Sequence, residues 1–391
     1  VGPVGAGRGR AVTLLYPVPE ILPDHRARFI QIVHTCHAMA ARGVGVHLLT
    51  GVRRGCDGEG LLRAYGLSPV PFLRIVPMPV LRGRISWHAP FHAALLPRAM
   101  REPRGVIFAR YLKLARFLLR WRRIHRLPVI FEAHEILHKT TEKPGNAPAL
   151  KAMEAHVYRE ADAVIAITGS LAEEIHGLFG RKVDGVIPDG VGSDFLDVKR
   201  SGNGSYLLYT GQFYPWKGVE VFVRTLSLLP NERAVIVGGA GEALDRMRRL
   251  AQETGVAGRV EFAGTVPHAE VKKFLEGARV AILPNLAGGV SRFTSPLKLF
   301  EYMAAGVPVV ASDLPALREV LRDGENAILV PPGDPAALAA GIRRALDDEA
   351  LSFRISAMAR SEAAGYTWES RAKRIREVLD RLPGQQRPKD A

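Results

Sequence analysis

The sequence predicts an α/β protein of two Rossmann-like parallel-sheet domains that face each other across a cleft. Three observations predict it. Short apolar runs alternate with helix-length amphipathic stretches along most of the 391 residues, the rhythm of parallel strands covered by helices on both faces. The rhythm breaks once, at the polar run RSGNGS (200–205), and then starts again. The chain is also long enough for two domains that each bury a core. The expected division is one domain over 1–200, a second over 201–365, a helix over 366–383, and a disordered tail over 384–391.

In the first half, AVTLLY (11–16) is a short buried strand. The next helix carries Phe29, Val33, Cys36 and Ala40 on one face and ends at Gly43, and VGVHLL (44–49) is the second strand. His34 and His37 lie one turn apart without a third ligand or a carboxylate nearby, so they are not read as a metal site. Further strands are LRIV from Leu73, VIFA from Val106, PVIFEA from Pro128, AVIAIT from Ala163 and GVIP from Gly185. The segment 51–105, rich in Pro, Gly and Arg, holds Trp87, His88, Phe91 and His92; it reads as an irregular connection, or as a loop facing a partner. Ser170 and Glu173 have capping-box spacing for the helix after AVIAIT.

The second half offers six strands, YLLYT, AVIV, VEFA, VAIL, PVVA and AILV, each followed by a helical stretch. Ligands of such sheets bind beyond the carboxyl ends of the strands. After YLLYT comes GQFYPWKG, with Gly211 to admit a close backbone approach and Lys217 as a point charge for a diphosphate. After AVIV comes GGAGE, a turn containing Gly239 that alone is weak evidence of a ligand.

After VAIL, a loop with Gly288 and Gly289 leads into TSPLKLFEYMAAGVPVVASD (294–313). Here Ser295 is placed to cap a helix that Pro296 opens and Gly306 closes. Leu297, Phe300, Met303 and Ala304 keep one face, and Lys298 and Glu301 lie on another. Taken alone, the helix either pairs Lys298 with Glu301 and binds nothing, or offers its N-terminus to a phosphate and Glu301 to the hydroxyls of a ribose. Convergence of a lysine, glycine turns and a helix start from separate loops favours a nucleotide diphosphate. Toward the end, Asp334 and Pro335 start one helix, YTWESRAKRIREVL forms another, and RLPGQQRPKDA closes the chain.

Composition bounds the function. The net charge of +15 is uneven: residues 1–200 hold 29 Lys+Arg against 17 Asp+Glu, and the rest 25 against 22. Much of the excess lies in RYLKLARFLLRWRRIHR, from Arg110 to Arg126, read as one basic amphipathic helix with Leu114, Phe117, Leu118 and Trp121 at helical spacing. Such a helix rests on anionic lipid or is simply solvated. No zinc-finger spacing, aromatic sheet signature or helix-turn-helix signal accompanies the charge, so nucleic acid is not the expected partner. Two cysteines, Cys36 and Cys56, form no metal or redox motif and suit a reducing cytoplasm. No apolar run reaches the roughly 18 residues of a membrane span, and no signal-peptide core is present. The expected location is cytoplasmic, at the inner face of the membrane where the basic helix engages lipid. The first residue is Val, so a few residues are expected to precede it.

Five stretches, in order, give the chain a resemblance to glycosyltransferase family 4 enzymes of GT-B architecture over nearly its whole length. They are FEAHEI (131–136), ADAVIAITGSLAEEI (161–175), IPDGV (187–191), GQFYPWKGVE (211–220) and SPLKLFEYMAAGVPVVASDLPALREVL (295–321). The resemblance implies a retaining transfer of a sugar from a nucleotide-sugar donor to a glycan or lipid-linked acceptor, with no cofactor and no catalytic metal. It implies that Lys217 neutralises the diphosphate, that Gly211 and Gln212 lie beside it in the donor site, and that backbone amides near Ser295, Pro296 and Leu297 hold its oxygens. It assigns the acceptor to the domain over 1–200, the donor to that over 201–365, and a return to the first domain to the helix over 366–383. It further implies that Glu301 binds the ribose and His134 faces the donor sugar, with the loop GTVPHAEV, including Val266 and Pro267, at the base.

Three departures stand out. Phe293 occupies the place of a family glutamate, and Lys298 is a candidate replacement for its contact. Gln212 stands where an arginine is common, and the Gly-Gly turn usual after the first strand is absent. Phe293 and Gln212 favour, as an alternative, a non-catalytic GT-B protein that binds a nucleotide sugar or stabilises a partner. A third reading keeps the fold and changes the reaction to phosphorolysis or epimerisation.

Overall fold

The computed structural model describes residues 12–81, 88–200 and 204–382. Trp87, residues 201–203 of the RSGNGS run and the tail over 384–391 lie outside the described residues. Every strand expected from an apolar run is present. The first sheet comprises β1 (Thr13–Leu22), β2 (Gly45–Val52), β3 (Leu73–Pro77), β4 (Gly105–Ala109), β5 (Val129–Ala133), β6 (Ala163–Ala166) and β7 (Gly185–Val186). The second comprises β8 (Tyr206–Thr210), β9 (Ala234–Val237), β10 (Val260–Gly264), β11 (Ala278–Leu283), β12 (Val309–Ser312) and β13 (Ile328–Val330). All ladders are parallel, in the orders β3-β2-β1-β4-β5-β6-β7 and β10-β9-β8-β11-β12-β13.

Strands such as β4, β5, β6 and β12 are buried at every position, because helices cover both faces of a parallel sheet and leave no side for polar alternation. Within β1 the pleat sends Leu14, Tyr16 and Val18 into one apolar layer and Leu15 into the other. The second sheet repeats the division, with Leu208 in one layer and Leu207 and Tyr209 in the other.

The helix Trp368–Asp380, capped by Thr367 on Ser370 N, leaves the second domain and packs on the first. Trp368, Ile375, Val378 and Leu379 share a layer with Leu14, Tyr16 and Phe29.

Several local expectations need correction. The run 110–126 is not one helix but two, Leu112–Arg120 and Arg122–His125, with Arg126 left-handed at φ 59°. Its Leu114 and Leu118 face the core rather than a lipid surface. The helix Gly169–Phe179 is capped by Thr168 on Leu171 N, not by Ser170. Both the amide and the hydroxyl of Ser170 bond to Glu319 of the second domain, each at 2.7 Å. In the segment 51–105, Phe91 is a core residue and His92 stacks on Phe117 with ring centroids 4.3 Å apart.

Candidate active site

In each sheet the strand order reverses at one point, between β1 and β4 in the first and between β8 and β11 in the second. Loops leaving neighbouring strands there turn to opposite faces and open a crevice. The crevices meet in a cleft of about 840 Å³. Its second-domain side is Thr210, Gly211 and Gln212 after β8, Gly238 after β9, Thr265 and Val266 after β10, and Leu297, Lys298 and Glu301 of the helix Leu297–Ala304. His25, Arg26, Ala27 and Ile30 of the first domain face them. The loops after β8 and β9 press together so closely that a Cβ on Gly238, at φ +115°, would stand 2.1 Å from the Gly211 carbonyl oxygen. No side chain fits there.

The cleft is short of negative charge. Lys217 ends the short turn Pro215–Lys217, with Nζ 4.7 Å from the centre of the Trp216 ring. Burial pulls its ammonium down to about 8, against the opposing pull of Glu301. Lys298 is 5% exposed; its Nζ lies 3.5 Å from the centre of the Tyr209 ring and has no hydrogen-bond partner among the described residues. Burial, and then the charge of Lys217, hold its pKa well below that of a free lysine. Lys298 therefore does not form the pair with Glu301 that one of the two readings of this helix supposes. Instead Glu301 Oε1 lies 2.7 Å from His268 Nε2. Tyr302, next along the helix, accepts the Thr210 amide at 2.8 Å and ties the helix to the end of β8.

Of the residues read from the sequence, Gly211, Gln212, Lys217, Val266, Leu297, Lys298 and Glu301 come together in this cleft. Ser295 and Pro296 do not. They line a separate hollow of about 550 Å³ behind the helix, with Thr168 and Glu319. The helix starts at Leu297, Pro296 occupies the cap position without a side-chain cap, and Ser295 Oγ accepts the Asp189 amide at 3.0 Å. Gly239 sits where a Cβ would be 2.3 Å from the Phe213 ring, so it serves packing beside the cleft. Pro267 precedes the short turn His268–Glu270 and is not among the lining residues.

His134, after β5, also lies outside the cleft lining. Its Nε2 is 2.9 Å from Glu132 Oε2; a carboxylate only accepts, so Nε2 carries the proton and Nδ1 is left as an acceptor. Burial and then Arg110 bring its pKa down to about 4 although Glu132 opposes them, so the ring is neutral near pH 7. Phe293 is withdrawn altogether. It is 2% exposed among first-domain core residues, and its carbonyl accepts Thr168 Oγ1 at 3.3 Å. His34 stacks on Trp368 with centroids 5.3 Å apart, while His37 bonds to the Ser68 carbonyl.

Sequence reasoning missed His25, Arg26 and Tyr209, and missed His268 as the partner of Glu301. His268 lies in the GTVPHAEV loop, but its attachment to a carboxylate 33 positions along leaves no local signal.

Comparison with known proteins follows the two-domain division. The Glycosyltransferase Family 4 pattern matches residues 30–195, and the pattern described as Glycosyl transferases group 1 matches residues 204–348. A D-inositol 3-phosphate glycosyltransferase of Acidothermus cellulolyticus is 34% identical over 218 residues, 50% of this chain and 48% of its own length. A phosphatidyl-myo-inositol mannosyltransferase of Mycobacterium leprae is 34% identical over 204 residues, 50% of this chain and 52% of its own length. The match thus spans about half the length of these relatives. Among solved structures, sucrose-phosphate synthase of Thermosynechococcus elongatus superimposes with a TM-score of 0.78 at 20% identity, over 94% of this chain and 98% of its own. HepE of Anabaena in complex with UDP gives 0.73 at 19%, over 95% and 100%. Both carry the same two-domain fold.

Proposed function

The chain belongs to glycosyltransferase family 4, and from that premise we propose that it moves a sugar from a nucleotide-diphosphate sugar to a glycan or lipid-linked acceptor. The transfer retains configuration and uses no catalytic metal. Breaking a glycosyl–phosphate bond builds negative charge on the departing diphosphate, so the site chiefly needs preorganised positive charge there. The observation that carries the reading is the lysine-lined cleft at the carboxyl ends of the second sheet, with Lys217 and Glu301 in one wall. Lys217 meets the diphosphate. Glu301, released from His268, accepts the ribose hydroxyls.

Acceptor and location follow from chemistry and relatives. The names of the two relatives support an acceptor bearing an inositol phosphate. Among the described residues no helix is long and apolar enough to cross a membrane. Exposed Trp121 and Ile124, with exposed Arg116, Arg120 and Arg123 beside them, suit contact with an anionic lipid surface. Cosedimentation with vesicles should require anionic lipid and weaken in Trp121→Ser/Ile124→Ser; equal binding to neutral vesicles removes this part of the proposal.

Donor turnover tests the whole. Nucleoside diphosphate should be released from one member of a panel of nucleotide sugars, with membrane extract as acceptor, and release should fall by at least about 100-fold in Lys217→Ala and in Glu301→Ala. Undiminished release in both variants refutes the site assignment. Nucleotide binding with no turnover of any donor supports the non-catalytic alternative.

A further inference from the structure

Lys298 is an ammonium to which the described residues offer the face of a ring but no hydrogen-bond acceptor. It stands on the helix Leu297–Ala304, 5% exposed, over the Tyr209 ring and against the backbone of Gly211. A Cβ on Gly211 would lie 3.4 Å from its Nζ. Charged and titratable groups approach it from every side of the cleft. Glu301 shares its helix but is held by His268 of the loop after β10. Lys217 comes from the loop after β8, and Tyr209 lies beneath. Tyr302 bonds to Thr210. Across the cleft are His25 and Arg26, the latter already paired with Asp24 and Glu20.

A buried, unpartnered cation costs stability unless an anion joins it. Two lysines facing one engaged carboxylate call for a ligand with more than one negative charge. We propose that Lys298 is a second phosphate-binding cation of the cleft, gripping a diphosphate together with Lys217. It would supply from the helix the charge that Gln212 cannot supply from the loop after β8. This deepens the donor reading and rests on it for the nucleotide, though not for the anion.

Proton linkage follows. The free cleft keeps Lys298 low in pKa through burial and the repulsion of Lys217, and the negative charge of an arriving diphosphate opposes both effects. Binding therefore takes up a proton, and affinity falls as pH rises through the interval between the free and the bound pKa.

Titration calorimetry at pH 8, in two buffers of different ionisation enthalpy, reads this directly. The probes are UDP, GDP, ADP and inorganic pyrophosphate, against the wild-type chain and Lys298→Met. The variant should bind pyrophosphate, and whichever nucleotide the wild type binds, at least about tenfold more weakly, and should take up fewer protons on binding. Its melting temperature without ligand should rise, because an unpaired buried amine has gone; a purely structural lysine would lower it. Unchanged affinity and unchanged proton uptake in the variant overturn the proposal. If pyrophosphate binding depends on Lys298 while no nucleotide binds, the donor reading fails and this inference stands. If nucleotides bind and Lys298→Met changes nothing, the reverse holds.

Discussion

Asp189 lies between the two sheets with its carboxylate buried and Oδ1 without a hydrogen-bond partner among the described residues, 4.0 Å from Arg371 Nη1. Burial raises its pKa to about 6, and Arg371 only partly opposes the rise. The sign follows from linkage. The unfolded chain gives up this proton near pH 4 and the folded chain near 6, so stability falls as pH climbs through that window. Asp189→Asn should therefore stabilise the protein by about 2 kcal/mol at pH 8, with the gain fading below pH 6 and absent near 4. Urea unfolding across that range is the measurement, and a gain independent of pH would remove ionisation as the cause. The amide of Asp189, which bonds to Ser295, is untouched by the change. At this scale the sequence displayed part of the site: Lys217, Lys298 and Glu301 are charged residues among apolar or glycine-rich neighbours. It did not display Asp189 as short of a hydrogen-bond partner or His268 as the partner of Glu301, since both depend on atoms brought in by the fold.

At the scale of elements, apolar runs located the strands because a parallel sheet buried on both faces admits few polar positions. Helix starts were less legible, and for one reason in two places. Ser295 and Ser170 have the chemistry of caps, but their hydroxyls are taken by the Asp189 amide and by Glu319 across the domain boundary. A local rule counts the nearest amides; the fold offered better partners 106 and 149 residues away. The run 110–126 shows the same limit, since hydrophobic spacing announces a buried face without saying whether core or lipid covers it. Here the core takes Leu114 and Leu118 and leaves Trp121 outside. Phe293 is the converse. Its departure from the family pattern reads as a lost sugar contact, yet its ring packs among first-domain residues such as Leu171 and Ile136. Phe293 thus anchors its loop to the first domain through apolar packing.

Across the whole molecule, the chain passes between domains twice, and the two passages lie side by side. Val191 and Thr367 form a parallel bridge, with Val191 N donating to the Tyr366 carbonyl and Trp368 N to the Val191 carbonyl. Beside this bridge Arg371, on the returning helix, gathers the Ile187 and Pro188 carbonyls, Thr35 Oγ1 and Glu132. One guanidinium thus joins the first passage, a first-domain helix and β5. Burial works to raise the pKa of Glu132, but Arg371 and His134 overcome it and keep the carboxylate ionised. Removing the guanidinium in Arg371→Met strands that charge in the core, and the expected loss is about 3–5 kcal/mol, the usual cost of breaking a buried pair from one side. Most of the loss is then the uncompensated carboxylate rather than the missing attraction. Arg371→Met/Glu132→Gln should accordingly be more stable than Arg371→Met alone, by about 1–3 kcal/mol in denaturant unfolding at pH 7. A double variant no more stable than the single would show that Arg371 holds the passages through its carbonyl bonds, with its charge incidental.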